Sequence, residues 1–116
     1  MPEGLSAGKQ YKIKIMYYTY ILLCTDSRHN RKHFYVGSTD NLKERLNRHK
    51  KGDIKTTKSF DKIELVYYEA CLNKTDARKR ELQLKTGFGR GYINKRLENY
   101  LKTAELVKRS NVSFPS

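Results

Sequence analysis

A chain of 116 residues fits one domain with a modest core and few spare residues. Lys and Arg total 25 against 12 Asp and Glu, a formal charge of +13 that points to a polyanionic partner, nucleic acid foremost, over the blander reading of a solvated basic surface. No apolar run is long enough to span a membrane and no signal peptide is evident, while Cys24 and Cys71 are too few for a zinc site without nearby ligands; reduced thiols in a cytoplasmic protein are expected.

In chain order, residues 1–16 read as a loose arm, 17–109 as the domain and 110–116 as a flexible tail. The apolar, tyrosine-rich run Tyr17 to Cys24 predicts a first strand, and His33 to Gly37 a second, joined by a long polar loop from Thr25 to Lys32. Strand alternation sets Tyr35 opposite to Phe34 and Val36. Asn41 and Glu44 stand at capping-box spacing before a helix that runs to about Lys51 and stops at Gly52. Ile63 to Cys71 predicts a third strand. A second helix is expected from about Asn73 to Lys85, ending before Thr86-Gly87, and a third from about Tyr92 to Lys108 with an apolar stripe of Ile93, Leu97, Tyr100, Leu101, Ala104 and Val107. The fold class is therefore α+β: a three-stranded antiparallel sheet flanked by helices, in the order β-β-α-β-α-α.

Two helices carry charge on the face that must pack inward. At about 100° per residue, Leu42, Arg45, Leu46 and His49 fall within one arc, and the two leucines must face the sheet. Arg45 then flanks a buried stripe and needs an anionic partner, either a carboxylate or a bound phosphate. In the second helix, Ala77, Glu81 and Leu84 share a face, while Arg78, Lys79, Arg80 and Lys85 are expected mostly to point elsewhere. Two readings stay open: a structural Arg45–Glu81 ion pair, or Glu81 as ligand for a hard divalent cation with Arg45 on a phosphate. Most of the nine tyrosines are expected to pack on the sheet; Tyr20 and Tyr35 stand apart only through their relation to Arg45 and Glu81.

Tyr18-Thr19-Tyr20, Tyr35-Val36-Gly37, Arg45 in the following helix and Glu81 in Arg-Glu-Leu-Gln-Leu-Lys, in this order and spacing, resemble the GIY-YIG endonuclease family. Lys85-Thr86-Gly87-Phe88-Gly89-Arg90 is similar to the small single-domain branch, itself similar to the nuclease domain of the bacterial excinuclease. The resemblance covers about residues 17–101. Departures are Tyr18-Thr19 for Gly-Ile, Ser38 where some members carry lysine, and His49 where others carry tyrosine; Asn94 is the candidate for the family's late asparagine.

The resemblance implies a DNA endonuclease that uses one divalent cation, Mg²⁺ or Mn²⁺, with catalytic Tyr20, Tyr35, Arg45, His49 and Glu81, the last as metal ligand. It also implies work in DNA repair, recombination or mobile-element processing. Phosphate contacts are expected from Arg28, Arg31, Lys32, Ser38, Arg48, Lys50, Lys51, Lys55 and Lys58. The partner is DNA and not membrane, a targeting protein is conceivable, and a monomer or weak dimer is expected. The competing reading is a non-catalytic nucleic-acid-binding protein that keeps the nuclease fold, with a component that cleaves only within a larger complex as a third.

Overall fold

Four central apolar residues, Ile21 to Cys24, are buried on both faces of the first strand, so this strand lies in the middle of the sheet. The computed structural model describes residues 10, 12, 14–103 and 112–113. Strand β1 (Tyr17–Asp26) pairs antiparallel with β2 (Arg31–Thr39) on one side and β3 (Lys62–Cys71) on the other. A two-residue β4 (Val112–Ser113), within the stretch expected to be tail, pairs parallel with β2 at Lys32 and His33, giving the order β3-β1-β2-β4. Helix α1 (Leu42–Lys50) follows β2; α2 (Lys74–Leu84), α3 (Gly87–Arg96) and α4 (Glu98–Thr103) follow β3. The α+β class and the three-stranded antiparallel core agree with the sequence reading.

Alternation along β1 sorts the core into two layers. Tyr20, Leu22 and Cys24 face α1 and pack with Tyr35, Leu42, Leu46, Phe60, Ile63 and Leu65. Ile21 and Leu23 face the other helices and pack with Phe34, Val36, Leu84, Ile93 and Leu101. A bulge in β3, opposite Ile21 and Leu22, turns both Val66 and Tyr67 toward this second layer.

Three boundaries differ from expectation. The hairpin loop is short, four residues, because the ladder continues through Thr25↔Lys32 and Asp26↔Arg31, and Asn30 takes a φ of 52° to close the turn. The Asp26–Arg31 pair is an ion pair at 3.2 Å, which rewards pairing of those polar residues. The third helix starts at Gly87, five residues early. Gly89 is the cause: a Cβ there would sit 1.8 Å from the Leu84 carbonyl oxygen, so glycine lets α3 abut the end of α2. That helix also breaks at Leu97 into α3 and α4. Leu97 and Leu101 amides still bond the carbonyls four residues back, at 2.9 Å each, so Ile93, Leu97, Tyr100 and Leu101 stay on one face. Ala104 and Val107, the end of the expected stripe, lie outside the described residues, as does most of the expected arm.

Asn41 caps α1 as expected, accepting from the Glu44 amide, and Asn73 caps α2 by accepting from the Asp76 amide, each at 3.1 Å. Both cysteines are free; Cys24 is buried, but Cys71, at the end of β3, is only half-buried. Among the described residues no helix is long and apolar enough to cross a membrane.

Candidate active site

The site begins on the α1 face of the sheet. Tyr20 and Gly37 are register partners, and the tyrosine ring lies across the glycine. A Cβ on Gly37 would stand 2.6 Å from the Tyr20 hydroxyl, so any side chain there would displace Tyr20. Tyr35 lies on the same face, with its ring centroid 6.2 Å from that of Tyr20 and 5.0 Å from that of His49. His49 is 1 % exposed, more buried than the leucines one turn and two turns before it.

His49 Nε2 lies 2.9 Å from the Tyr20 hydroxyl and its Nδ1 2.7 Å from the Thr57 hydroxyl. Burial, then the neighbouring Tyr35, push the Tyr20 pKa well above the usual phenol value, against the lowering effect of Arg45. Tyr20 therefore stays protonated. Burial, then the charges of Arg45 and Arg48, hold His49 down to about 4, so its ring is neutral at pH 7. These states assign the bonds: Tyr20 donates to Nε2, Nδ1–H donates to Thr57, and Thr57 is left facing the Ile54 carbonyl at 3.5 Å.

Arg45 is half-buried one turn before His49 and acts electrostatically on both Tyr20 and His49. The Arg45–Glu81 ion pair is not formed. Among the described residues the ion-pair partners of Glu81 are Arg78 at 2.8 Å and Lys85 at 2.9 Å, both on Oε2. Spacing alone points those two cations elsewhere; they turn back because Glu81 is buried and their positions, one turn before and one turn after, are within reach. Ser38 donates to the other oxygen, Oε1, at 2.7 Å. Burial raises the Glu81 pKa, but Ser38, Lys85 and Arg78 together outweigh it and hold the carboxyl below its ordinary value.

The β2 strand joins the two halves of the site. Gly37 faces Tyr20 on the α1 side, and its neighbour Ser38 faces Glu81 on the α2 side. At this end of the sheet a cleft of about 180 Å³ is lined by Tyr17, Ser38, Thr39, Asp40, Arg45, Lys74 and Ala77. Glu81 stands one hydrogen bond behind the Ser38 wall. The structure thus brings together Tyr20, Tyr35, Arg45 and His49, and links Glu81 to them through Ser38 and the strand.

A carboxylate offers about four lone-pair positions. Ser38, Arg78 and Lys85 take three, leaving one on Oε1. Among the described residues no group of three or more His, Cys, Asp or Glu could hold a metal ion. This donor set fits a hard cation that keeps most of its water shell and takes one protein oxygen. It does not fit a cage of zinc type.

The basic residues named for DNA fall into two places. Arg48, Lys50, Lys51, Lys55 and Lys58 are exposed at the end of α1 and in the connection after it. Arg28, Arg31 and Lys32 sit at the hairpin end. Six residues of strand separate Tyr20↔Gly37 from Asp26↔Arg31, about 20 Å. Arg31 is paired with Asp26, and Lys32 donates to Thr25 at 3.3 Å. Sequence reading passes over Thr57 and Lys74. Thr57 lies in a Lys/Thr/Ser connection with no local pattern to single it out; Lys74 follows an N-cap asparagine, and that position in the first turn of α2 is the available signal.

A family model described as the GIY-YIG catalytic domain matches residues 16–96. A UPF0213 protein from Clostridium perfringens is 38 % identical over 71 residues, covering 60 % of this chain and 71 % of that protein. Another, from Pediococcus pentosaceus, is 39 % identical over 70 residues, covering 60 % and 68 %. A third, from Staphylococcus haemolyticus, is 35 % identical over 71 residues, covering 60 % and 80 %. No solved structure matches the chain. The family match takes in all three long strands, α1, α2 and α3, and the residues gathered above, so the chain belongs to the GIY-YIG catalytic-domain family and has a nuclease-type domain.

Proposed function

We propose that this protein is a DNA endonuclease that hydrolyses phosphodiester bonds with the help of one divalent cation. The observation that carries the reading is the buried chain Tyr20–His49–Thr57 beside Arg45. A surface that only binds DNA has no use for a buried neutral imidazole wired to a tyrosine.

In this reading Arg45 holds the scissile phosphate and offsets charge that builds on it. A cation on Glu81 would supply Lewis-acid polarisation of that phosphate. Water is activated by the tyrosines. Tyr20 alone is a poor base, since burial disfavours its phenolate. As a relay it needs no phenolate: it takes a proton from the direction of Tyr35 while passing its own to His49 Nε2. A phosphate on Arg45 cancels part of the positive field that now depresses His49, and so makes the imidazole a better acceptor. Tyr35 is the residue that meets the water, and Tyr20 positions it.

Glu81→Ala, assayed on plasmid and branched DNA with Mg²⁺ or Mn²⁺ and a chelator control, tests the reading. The expected outcome is metal-dependent nicking by wild type, a loss of about 100-fold or more in the variant, and DNA affinity close to normal. A second reading, a DNA-binding protein without cleavage, draws on one observation: Arg78 and Lys85 already neutralise Glu81. It predicts that well-folded, DNA-binding wild type shows no cleavage that depends on Glu81.

A further inference from the structure

We propose that the cleft between β2 and the start of α2 is a subsite for a second backbone phosphate of the nucleic acid, and that Lys74 is the side chain that binds it. This rests on the endonuclease reading and extends it to a residue outside the catalytic group. The cleft is lined by two cations, Arg45 from α1 and Lys74 from α2, together with Ser38 and Thr39 from the end of β2. Among the described residues neither cation has a carboxylate within ion-pair distance, whereas Arg78 and Arg80 pair closely with Glu81 and Glu69, at 2.8 Å each. Asp40 also lines the cleft, so two positive charges face one negative there. Glu81, which stands behind Ser38, is neutralised by Arg78 and Lys85.

A cleft of about 180 Å³ has room for several waters, and so for one phosphodiester group with some of its hydration. The chemistry suits that occupant: a point-charge ammonium from α2 stands across the cleft lining from a guanidinium of α1. The location suits it too. Ser38 and Arg45 belong both to the cleft and to the surroundings of Glu81 and Tyr20, so a strand whose scissile phosphate lies at Arg45 continues directly into the cleft. Lys74 then fixes the register of the strand relative to the reacting phosphate.

The test uses a labelled DNA duplex, chelator to prevent cleavage, and the full chain with Lys74→Gln, Lys74→Arg and, as a control for overall charge, Lys102→Gln on α4. Wild type should bind with a steep salt dependence. Lys74→Gln should weaken binding roughly three- to tenfold and reduce the slope of log K against log salt by about 0.9, the value for one lost phosphate contact. Lys74→Arg should stay near wild type, and Lys102→Gln should change the slope by less. Neutralising single phosphates as methylphosphonates should reveal one position that weakens wild type but not Lys74→Gln. Equal behaviour of Lys74→Gln and Lys102→Gln, or no such phosphate position, overturns the proposal. The binding assay is separate from cleavage: a wild type that binds through Lys74 but never cuts defeats the endonuclease reading alone, and a wild type that cuts with no role for Lys74 defeats the subsite alone.

Discussion

His49 is the residue on which most of the site's physics converges. It is a histidine in a core position, with both ring nitrogens bonded and its basicity suppressed by burial and by two arginines on its own helix. The folded pKa of about 4 lies below the ordinary value of 6.5, so between these pH values the unfolded chain binds more protons at this site than the folded one. Stability from this residue is therefore whole above about pH 6.5 and is lost as pH falls toward about 4. Denaturant unfolding of wild type should show this loss. His49→Gln, which keeps hydrogen-bonding capacity without the titration, should be less stable at neutral pH yet flatter across that window. A variant as pH-dependent as wild type would mean that other groups carry the effect.

Among the elements, the junction of α2 and α3 holds the most demanding contact. The Leu84 carbonyl fills the place where a side chain on Gly89 would begin, and backbone cannot move aside as a flexible side chain can. Gly89→Ala should cost about 3 kcal/mol, read as a lower denaturant midpoint with an unchanged m-value. The same contact explains one limit of the sequence reading. Thr86-Gly87-Phe88-Gly89-Arg90-Gly91 has the composition of a link, and local propensity cannot reveal that one of its glycines is there for an interhelical contact. Other elements are legible because their signals are local: the apolar, tyrosine-rich run of β1, the asparagine cap at α1, and the Ala77-Glu81-Leu84 stripe of α2. Of the site, the shared face of Arg45 and His49 followed from the helical period, while Tyr20 and Tyr35 joined them only through the resemblance of their motifs to the family. The partners of Glu81 did not, because Arg78 and Lys85 choose their rotamers according to a buried charge that sequence spacing alone does not price. Thr57 reaches His49 only through the path of the connection after α1.

For the whole molecule, the chain carries a formal charge of +13, and its two groups of basic residues, at the hairpin and after α1, are not equivalent. Positive residues at the hairpin stand about 20 Å from Tyr20 and partly answer local acids, whereas those after α1 follow directly on His49. Arg31→Gln should weaken DNA binding mildly and leave the single-turnover cleavage rate unchanged. Comparable loss of rate in that variant would show that bound DNA spans the full length of the sheet during the reaction.

Glu81 is already supplied with three donors by the protein itself. The scaffold therefore has no unmet demand that only a metal can fill, and folding and metal loading become independent events. Protein prepared in chelator should melt as sharply as untreated protein and can be seated on its substrate beforehand. Under the proposed endonuclease reading, addition of the cation would then start every molecule at once, which separates the time of assembly from the time of reaction.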